Sequence, residues 1–249
     1  MLEINNLQVA RSGKQILDGI NLRLIPHTLT ALVGKNGCGK STLVSCINQI
    51  TPYRGEIHFS GRDLALMPPR ERASLIAFLP QALKFPHITT EELIAMGRSP
   101  YLDIGRHMTP HDKEMVEKAI HAIGIEKLIG RYVDTLSGGE RQKVYLAMTI
   151  AQDTRLLVLD EPTTYMDMAY EHAFLAMLDT MKHKNKKTLL VVMHNLNQAV
   201  RYADQLAVLD DGKIVFHGPT EECLRSGILE RVFSVHRYMA EDKVFFAAE

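Results

Sequence analysis

The chain has 249 residues, 46% of them apolar, and its 29 basic residues balance 29 acidic ones. That length and apolar content suffice for a sizeable buried core, and a net charge of zero points to neither nucleic acid nor an anionic membrane surface as a partner. The three cysteines, Cys38, Cys46 and Cys223, have no metal-site spacing and no even count for a disulfide framework, which suits a reducing cytosol.

The first residues, MLEINNLQVARSG, lack a basic-then-apolar leader pattern, and no stretch approaches ~18 uninterrupted apolar residues. The chain is therefore expected not to span a membrane by itself. From Leu2 to Val33 short strands alternate with turns: Leu7 to Ala10, a turn at Ser12-Gly13-Lys14, Ile16 to Leu24, then Leu29 to Val33. This reads as an antiparallel sheet leading into a glycine-rich loop. Beyond the helix that follows the loop, Gly55 to Phe59 alternates as a strand, Gly61-Arg62-Asp63 turns, Pro68 opens a short helix, and Ile76 to Leu79 is a strand ending at Pro80-Gln81.

Residues 82–154 then change character. Helical spacing at Leu93, Ile94 and Met96 gives way to a polar loop from Gly97 to Thr109, and Thr109-Pro110 starts a helix carrying Met115, Ala119 and Ile123. We read this stretch as a mainly helical subdomain inserted into an α/β body formed by residues 1–81 and 155–249. From Arg155 onward strands and helices alternate: LLVLD, a helix over Met168 to Met181, TLLVVM, a helix over Leu196 to Ala203, then QLAVL. That alternation predicts a mostly parallel sheet with helices on its faces. Asp211-Gly212 is a hairpin turn, and helices followed by a short strand at Val244 to Phe246 close the chain.

Gly34 to Thr42 reads GKNGCGKST and fits G-x-x-x-x-G-K-[S/T] between a strand and a helix. Gly34, Gly37 and Gly39 let the backbone turn tightly and bring its amides to anionic oxygens, with Asn36 and Thr42 in the same cradle. Lys40 would reach the β- and γ-phosphates of a nucleotide, and the Ser41 hydroxyl would bind Mg²⁺. In LLVLDEP a buried strand ends in two adjacent carboxylates. Strand side chains alternate, so Asp160 and Glu161 should differ in role: Asp160 for the metal, Glu161 for the attacking water. In LSGGERQ, Ser137 and Glu140 form a capping box. The box does not explain Gly138 and Gly139, which cost roughly 1 kcal/mol each relative to Ala in a first helical turn. A phosphate approaching the bare backbone would.

These three motifs, in this order and spacing, resemble the ATP-binding subunits of ABC transporters over essentially the whole chain. The resemblance implies a P-loop ABC ATPase core with an N-terminal antiparallel β subdomain and an inserted helical subdomain. It also implies ATP and Mg²⁺ as ligands, and a head-to-tail dimer in which Ser137, Gly138 and Gly139 of one copy close over nucleotide held by the other. Gln81 stands where such proteins place a glutamine that senses Mg²⁺ and water, His194 where a histidine contacts the γ-phosphate, and Asp167 in the segment that crosses the dimer. Arg11 occupies the position where an aromatic residue usually stacks on adenine; a guanidinium can also stack on a base. The stretch Glu91 to Tyr101, Gly105-Arg106, Pro162 to Asp167 and His194 to Ala199 are most similar to ATPases of importers for iron-siderophore complexes, haem and vitamin B12. The implied partners are a second ATPase subunit, two transmembrane permease subunits and a solute-binding protein. The implied location is the cytoplasmic face of the membrane. Exporter ATPases share the chemistry. Soluble relatives in DNA repair, chromosome maintenance or ribosome work typically carry zinc clusters, coiled coils, a basic surface or tandem cassettes, features this sequence lacks.

Overall fold

A computed structural model describes residues 1–102, 107–240 and 243–247. Gly105 and Arg106 lie outside the described residues. In chain order the elements are β1 (Leu2–Arg11), β2 (Lys14–Arg23), β3 (Leu29–Val33), α1 (Lys40–Ile47), β4 (Arg54–Phe59) and β5 (Arg62–Asp63). Next come α2 (Pro69–Leu75), β6 (Ile76–Leu79), α3 (Thr90–Ala95), α4 (Pro110–Ile123), α5 (Gly138–Ala151), β7 (Leu156–Asp160) and α6 (Met168–Asn185). The chain finishes with β8 (Thr188–Val192), α7 (Leu196–Tyr202), β9 (Gln205–Asp210), β10 (Lys213–Pro219), α8 (Thr220–Ser226), α9 (Ile228–Phe233), β11 (His236–Ala240) and β12 (Lys243–Ala247). Two compact units divide them: Met1–Met67 with Met181–Glu249, and Pro68–Thr180.

In the first unit β2, β1, β4 and β5 form an antiparallel sheet in that order. Alternation along β1 puts Leu2 and Ile4 inside and, after an irregularity at Asn5-Asn6 where Asn6 has positive φ, Leu7 and Val9. The β1–β2 hairpin closes at Ser12 and Gly13, both with positive φ, as a tight two-residue turn requires. β3 departs from the sequence reading, because it does not join that sheet. All five of its residues are buried, and it pairs in parallel with β8 on one side and β9 on the other. A run without alternation is the signature of a strand covered on both faces. β9 returns through Asp211-Gly212 into the antiparallel β10.

Where β3 begins, the Leu29 N–H donates to Asp204 Oδ2 at 2.7 Å, and the same carboxylate takes both oxygens to Lys182 Nζ at 2.9 Å. Lys182 is the C-terminal, first-unit part of α6, and its side chain is only 3% exposed.

The second unit carries the parallel pair β6–β7 and most of the helices. α3, α4 and α5 each start with a capping box, at Thr89/Glu92, Thr109/Asp112 and Ser137/Glu140. The stretch expected as a polar loop from Gly97 begins instead as a 3₁₀ helix over Met96–Tyr101. Gly97 packs so closely that a Cβ there would lie 2.3 Å from the Met148 carbonyl, and Arg98 is buried in an ion pair with Asp112 at 2.9 Å. Tertiary packing imposes order where local polarity suggested none. A second departure is β11, which pairs with β12 to make the C-terminal strand half of a hairpin.

Removing the Asp204 carboxylate should take away a counter-charge that the buried Lys182 ammonium holds through two hydrogen bonds. Asp204→Ala is expected to cost about 2 kcal/mol, below the range for fully buried pairs because Asp204 is 36% exposed. Lys182→Met, which removes the charge and keeps the stem, should cost less; thermal melts of both variants check the order.

Candidate functional site

In the first unit the loop between β3 and α1 is pinned by backbone close approaches. A Cβ on Gly34 would lie 2.2 Å from the Leu209 carbonyl, so only glycine lets β3 leave the sheet beside β9. Gly39, the residue before α1, has φ 109° and lies under β2: a Cβ would meet Leu17 at 2.7 Å and the Ile16 carbonyl at 3.1 Å. The Gly212 N–H donates to the Cys38 carbonyl at 3.3 Å, and the Asp18 N–H donates to the Gly212 carbonyl at 2.9 Å. The loop is thus set between the β2 backbone and the β9–β10 turn. Asn36 and Gly37 stand exposed at its crest.

Lys40 is buried as the first residue of α1, and its Nζ donates to the carbonyls of Gly34 at 2.8 Å and Lys35 at 3.0 Å. Ser41 is exposed beside it and Thr42 is half-buried. Cys38 fills the underside of the loop. Burial pushes its thiol above the ordinary value against the opposing pull of Lys40, so it stays a neutral packing group.

His194 is exposed just past β8. Met193 donates its N–H to the Leu32 carbonyl at 3.1 Å, and Asn195 caps α7 by accepting from the N–H groups of Asn197 and Gln198. Arg11 is the exposed last residue of β1, opposite Lys14. A cavity of about 380 Å³ borders the same hairpin, lined by Gln8, Val9, Ala10, Gln15 and Pro52 to Arg54, with Arg11 outside the lining.

The second unit holds the carboxylates. Asp160 ends β7 and is buried. Glu161, 8% exposed, has left the strand: its φ is +51°, a left-handed conformation that costs about 1 kcal/mol for a residue with a side chain. The two acids are therefore separated by a change of backbone conformation and not by pleat alternation, the basis on which the sequence distinguished them. Thr164 holds the turn, its hydroxyl donating to the Glu161 carbonyl at 3.0 Å. Gln81, two residues beyond β6, donates from Nε2 to Glu161 Oε2 at 2.6 Å. The structure thus brings together two residues that lie 80 apart in sequence.

Ser137 caps α5: its Oγ accepts from the Glu140 N–H at 3.3 Å, and the Ser137 N–H donates to Glu140 Oε2 at 2.9 Å. That N–H, with the hydroxyl and Arg131 adding to it, holds the Glu140 carboxyl below its ordinary value. The reading of both glycines as a response to phosphate needs amending. A Cβ on Gly139 would lie 2.8 Å from the Tyr165 carbonyl, so its own chain demands the bare backbone. At Gly138 the nearest atom is the Tyr165 ring at 3.8 Å, which leaves room for a methyl. Asp167 also has a local role, accepting from the Tyr170 N–H at 2.8 Å in the first turn of α6. Two residues that the sequence reading did not single out join these elements: Tyr165, and buried Gln142, whose Nε2 donates to the Pro162 carbonyl at 3.0 Å. Gln142 lies within LSGGERQ, but nothing in a periodic pattern separates such a glutamine from a solvated one.

The family model described as "ABC transporter" matches residues 17–164. The ferric enterobactin transport ATP-binding protein FepC of Escherichia coli (strain K12) is 36% identical over 231 residues, covering 92% of this chain and 85% of FepC. The hemin import ATP-binding protein HmuV of Nocardia farcinica is 37% identical over 240 residues, covering 93% and 82%. A solved ATP-binding cassette, a dimer in a post-hydrolysis state bound to ADP and Pi, superposes with a TM-score of 0.79 at 21% identity, covering 88% of this chain and 99% of that one. The last of these speaks to the fold alone. With a family match over more than half its length, a phosphate loop of this geometry and relatives of this identity, the chain belongs to the ABC transporter family.

Proposed function

We propose that this chain is the ATP-binding and hydrolysing subunit of an importer, energising uptake of a chelated iron, haem or cobalamin-type solute through partner membrane subunits. The name of HmuV supports the import direction, and the two relatives' names support a chelated-iron or haem solute; cobalamin rests on the sequence resemblance. The observation that carries the hydrolytic part is the Gln81–Glu161 pair, a nearly buried carboxylate held at 2.6 Å by an amide at the end of the neighbouring strand. A carboxylate fixed in this way can orient a water for attack on the γ-phosphate. In this reading Gly34, Asn36, Gly37, Gly39, Lys40, Ser41 and Thr42 cradle the phosphates and His194 contacts the γ-phosphate.

The donor set fits Mg²⁺. The Ser41 hydroxyl, the Asp160 carboxylate and the amide oxygen of Gln81 are hard oxygen donors. Mg²⁺ commonly takes much of its coordination shell from phosphate and water. When bound, Mg²⁺ would draw charge from the phosphate oxygens.

ATP would join two copies head to tail, with Ser137, Gly138 and Gly139 of one facing the nucleotide of the other and Asp167 in the crossing segment. The solved cassette that shares this fold is itself a dimer. Two transmembrane permease subunits and a solute-binding protein complete the system, with this chain bound peripherally at the cytoplasmic face. Among the described residues no helix is long and apolar enough to cross a membrane.

Two experiments test the assignments. Glu161→Gln keeps the shape and removes the charge that orients water; turnover should fall at least a hundredfold while an ATP-bound dimer persists in size-exclusion chromatography. Wild-type turnover in that variant would remove the assignment. Arg11→Tyr restores an aromatic face beside the base and should tighten ATP binding by about fivefold, or ~1 kcal/mol, in equilibrium titration; unchanged or weaker affinity would place Arg11 away from adenine.

A further inference from the structure

The hairpin β11–β12 has no part in the phosphate loop, yet it is fastened close to His194. Asn197, in the first turn of α7, turns its side-chain amide on the backbone of Phe246 in β12. Its Oδ1 accepts from the Phe246 N–H at 2.6 Å and its Nδ2 donates to the Phe246 carbonyl at 3.3 Å. The amide thus meets a strand residue through both of its backbone groups, as a neighbouring strand would. The Phe246 side chain is 7% exposed, so the contact is packed as well as hydrogen-bonded.

From Asn197 the path to His194 is short. The Asn197 N–H donates to Asn195 Oδ1 at 3.0 Å, and Asn195 follows His194 directly. On its other side His194 follows Met193, tied to β3 through the Leu32 carbonyl. The His194 turn is therefore fixed upstream by the sheet and downstream, through Asn197, by Phe246, which lies 49 residues further along the chain. A two-stranded hairpin has little stability of its own in water, so its docking depends on its contacts: Arg237 of β11 fastens one strand to Glu230 at 3.3 Å and to the Leu224 carbonyl, while the burial of Phe246 and the Asn197 amide fasten the strand nearest His194.

We infer that Asn197 is a positioning residue for ATP hydrolysis, and that through it the docked C-terminal hairpin holds His194 in its working orientation. This rests on the reading of His194 as the γ-phosphate contact. With the clip in place His194 is presented for chemistry. With it released, nucleotide still binds at the phosphate loop, but a smaller fraction of bound ATP is hydrolysed per unit time.

The test uses the full chain with Asn197→Ala, Phe246→Ala, the double variant and His194→Ala. It reads steady-state ATP hydrolysis and amide hydrogen exchange over Met193 to Gln198. Asn197→Ala should raise exchange in the turn about tenfold and lower kcat about tenfold while KM for ATP stays within about twofold. Phe246→Ala should act in the same direction, and the double variant should be no worse than Asn197→Ala, because both changes release one contact. Asn197→Asp keeps the acceptor for the Phe246 N–H and loses the donor to its carbonyl; it should fall between wild type and Asn197→Ala, and it carries the test should Asn197→Ala not fold. Unchanged exchange, losses that multiply in the double variant, or a raised KM with normal kcat would overturn the inference. His194→Ala separates the two levels. Wild-type turnover there removes the role of His194 and the inference with it, whereas an inactive His194→Ala beside a fully active Asn197→Ala overturns the positioning role alone.

Discussion

The constraint on which the first unit depends is the absence of a side chain at Gly34, where the backbone leaves β3 against the Leu209 carbonyl. Any Cβ would force β3 and β9 apart at the point where the loop begins. With that contact made, the Gly212 N–H reaches the Cys38 carbonyl, Gly39 fits beneath Ile16 and Leu17, and α1 starts at Lys40 with its side chain folded onto the loop. The loop's shape is therefore a property of the strands around it. Amides aimed in advance do not have to be reorganised when charge arrives, which is the physical basis of strong electrostatic binding at such sites.

The second unit meets a different constraint. Glu161 sits in a left-handed conformation that its side chain disfavours, and such strain persists only when the surroundings enforce it. The enforcement is visible on both sides: Gln81 holds the carboxylate, Thr164 holds the carbonyl, and Gln142 holds Pro162 next to it. Gln142 belongs to α5, the helix that Ser137 caps, and Gly139 of that helix packs on the Tyr165 carbonyl. Within one unit, the capped helix and the turn carrying the carboxylate thus form a single packed piece, and a displacement of one must be absorbed by the other.

Much of this was legible in the sequence because it rests on local chemistry. The Ser137/Glu140 capping box, the Ser12-Gly13 and Asp211-Gly212 turns, the buried strands and the phosphate-loop pattern all follow from residue type and short spacing. What stayed hidden depends on distant backbone. Gly139 reads as a helix cost with a ligand as its reason until the Tyr165 carbonyl is seen against it. The run from Gly97 reads as a loop because Arg98 is charged, and only Asp112 explains its burial. β3 reads as a continuation of the N-terminal sheet because sequence order says nothing of which strand lies beside it. Glu161 looks like a strand residue because positive φ outside glycine leaves no mark in composition.

The structure also reconciles the plain and the functional readings of the same side chains. Ser137 accepts the Glu140 N–H in its cap and gives its hydroxyl hydrogen to the Glu140 carboxylate, which leaves it a second lone pair. Lys40 places two of its three hydrogens on the Gly34 and Lys35 carbonyls and keeps a third. Gln81 gives an amide hydrogen to Glu161 while its own oxygen remains a hard donor. On the proposed function, the committed bonds of Lys40 and Gln81 fix direction and their remaining valence serves the phosphate and the metal. A group with every valence satisfied would be held but inert, and one with none satisfied would be free to adopt wrong geometries. A cap, a folded-back lysine and a tethered glutamine are therefore what a phosphate site needs its side chains to be doing.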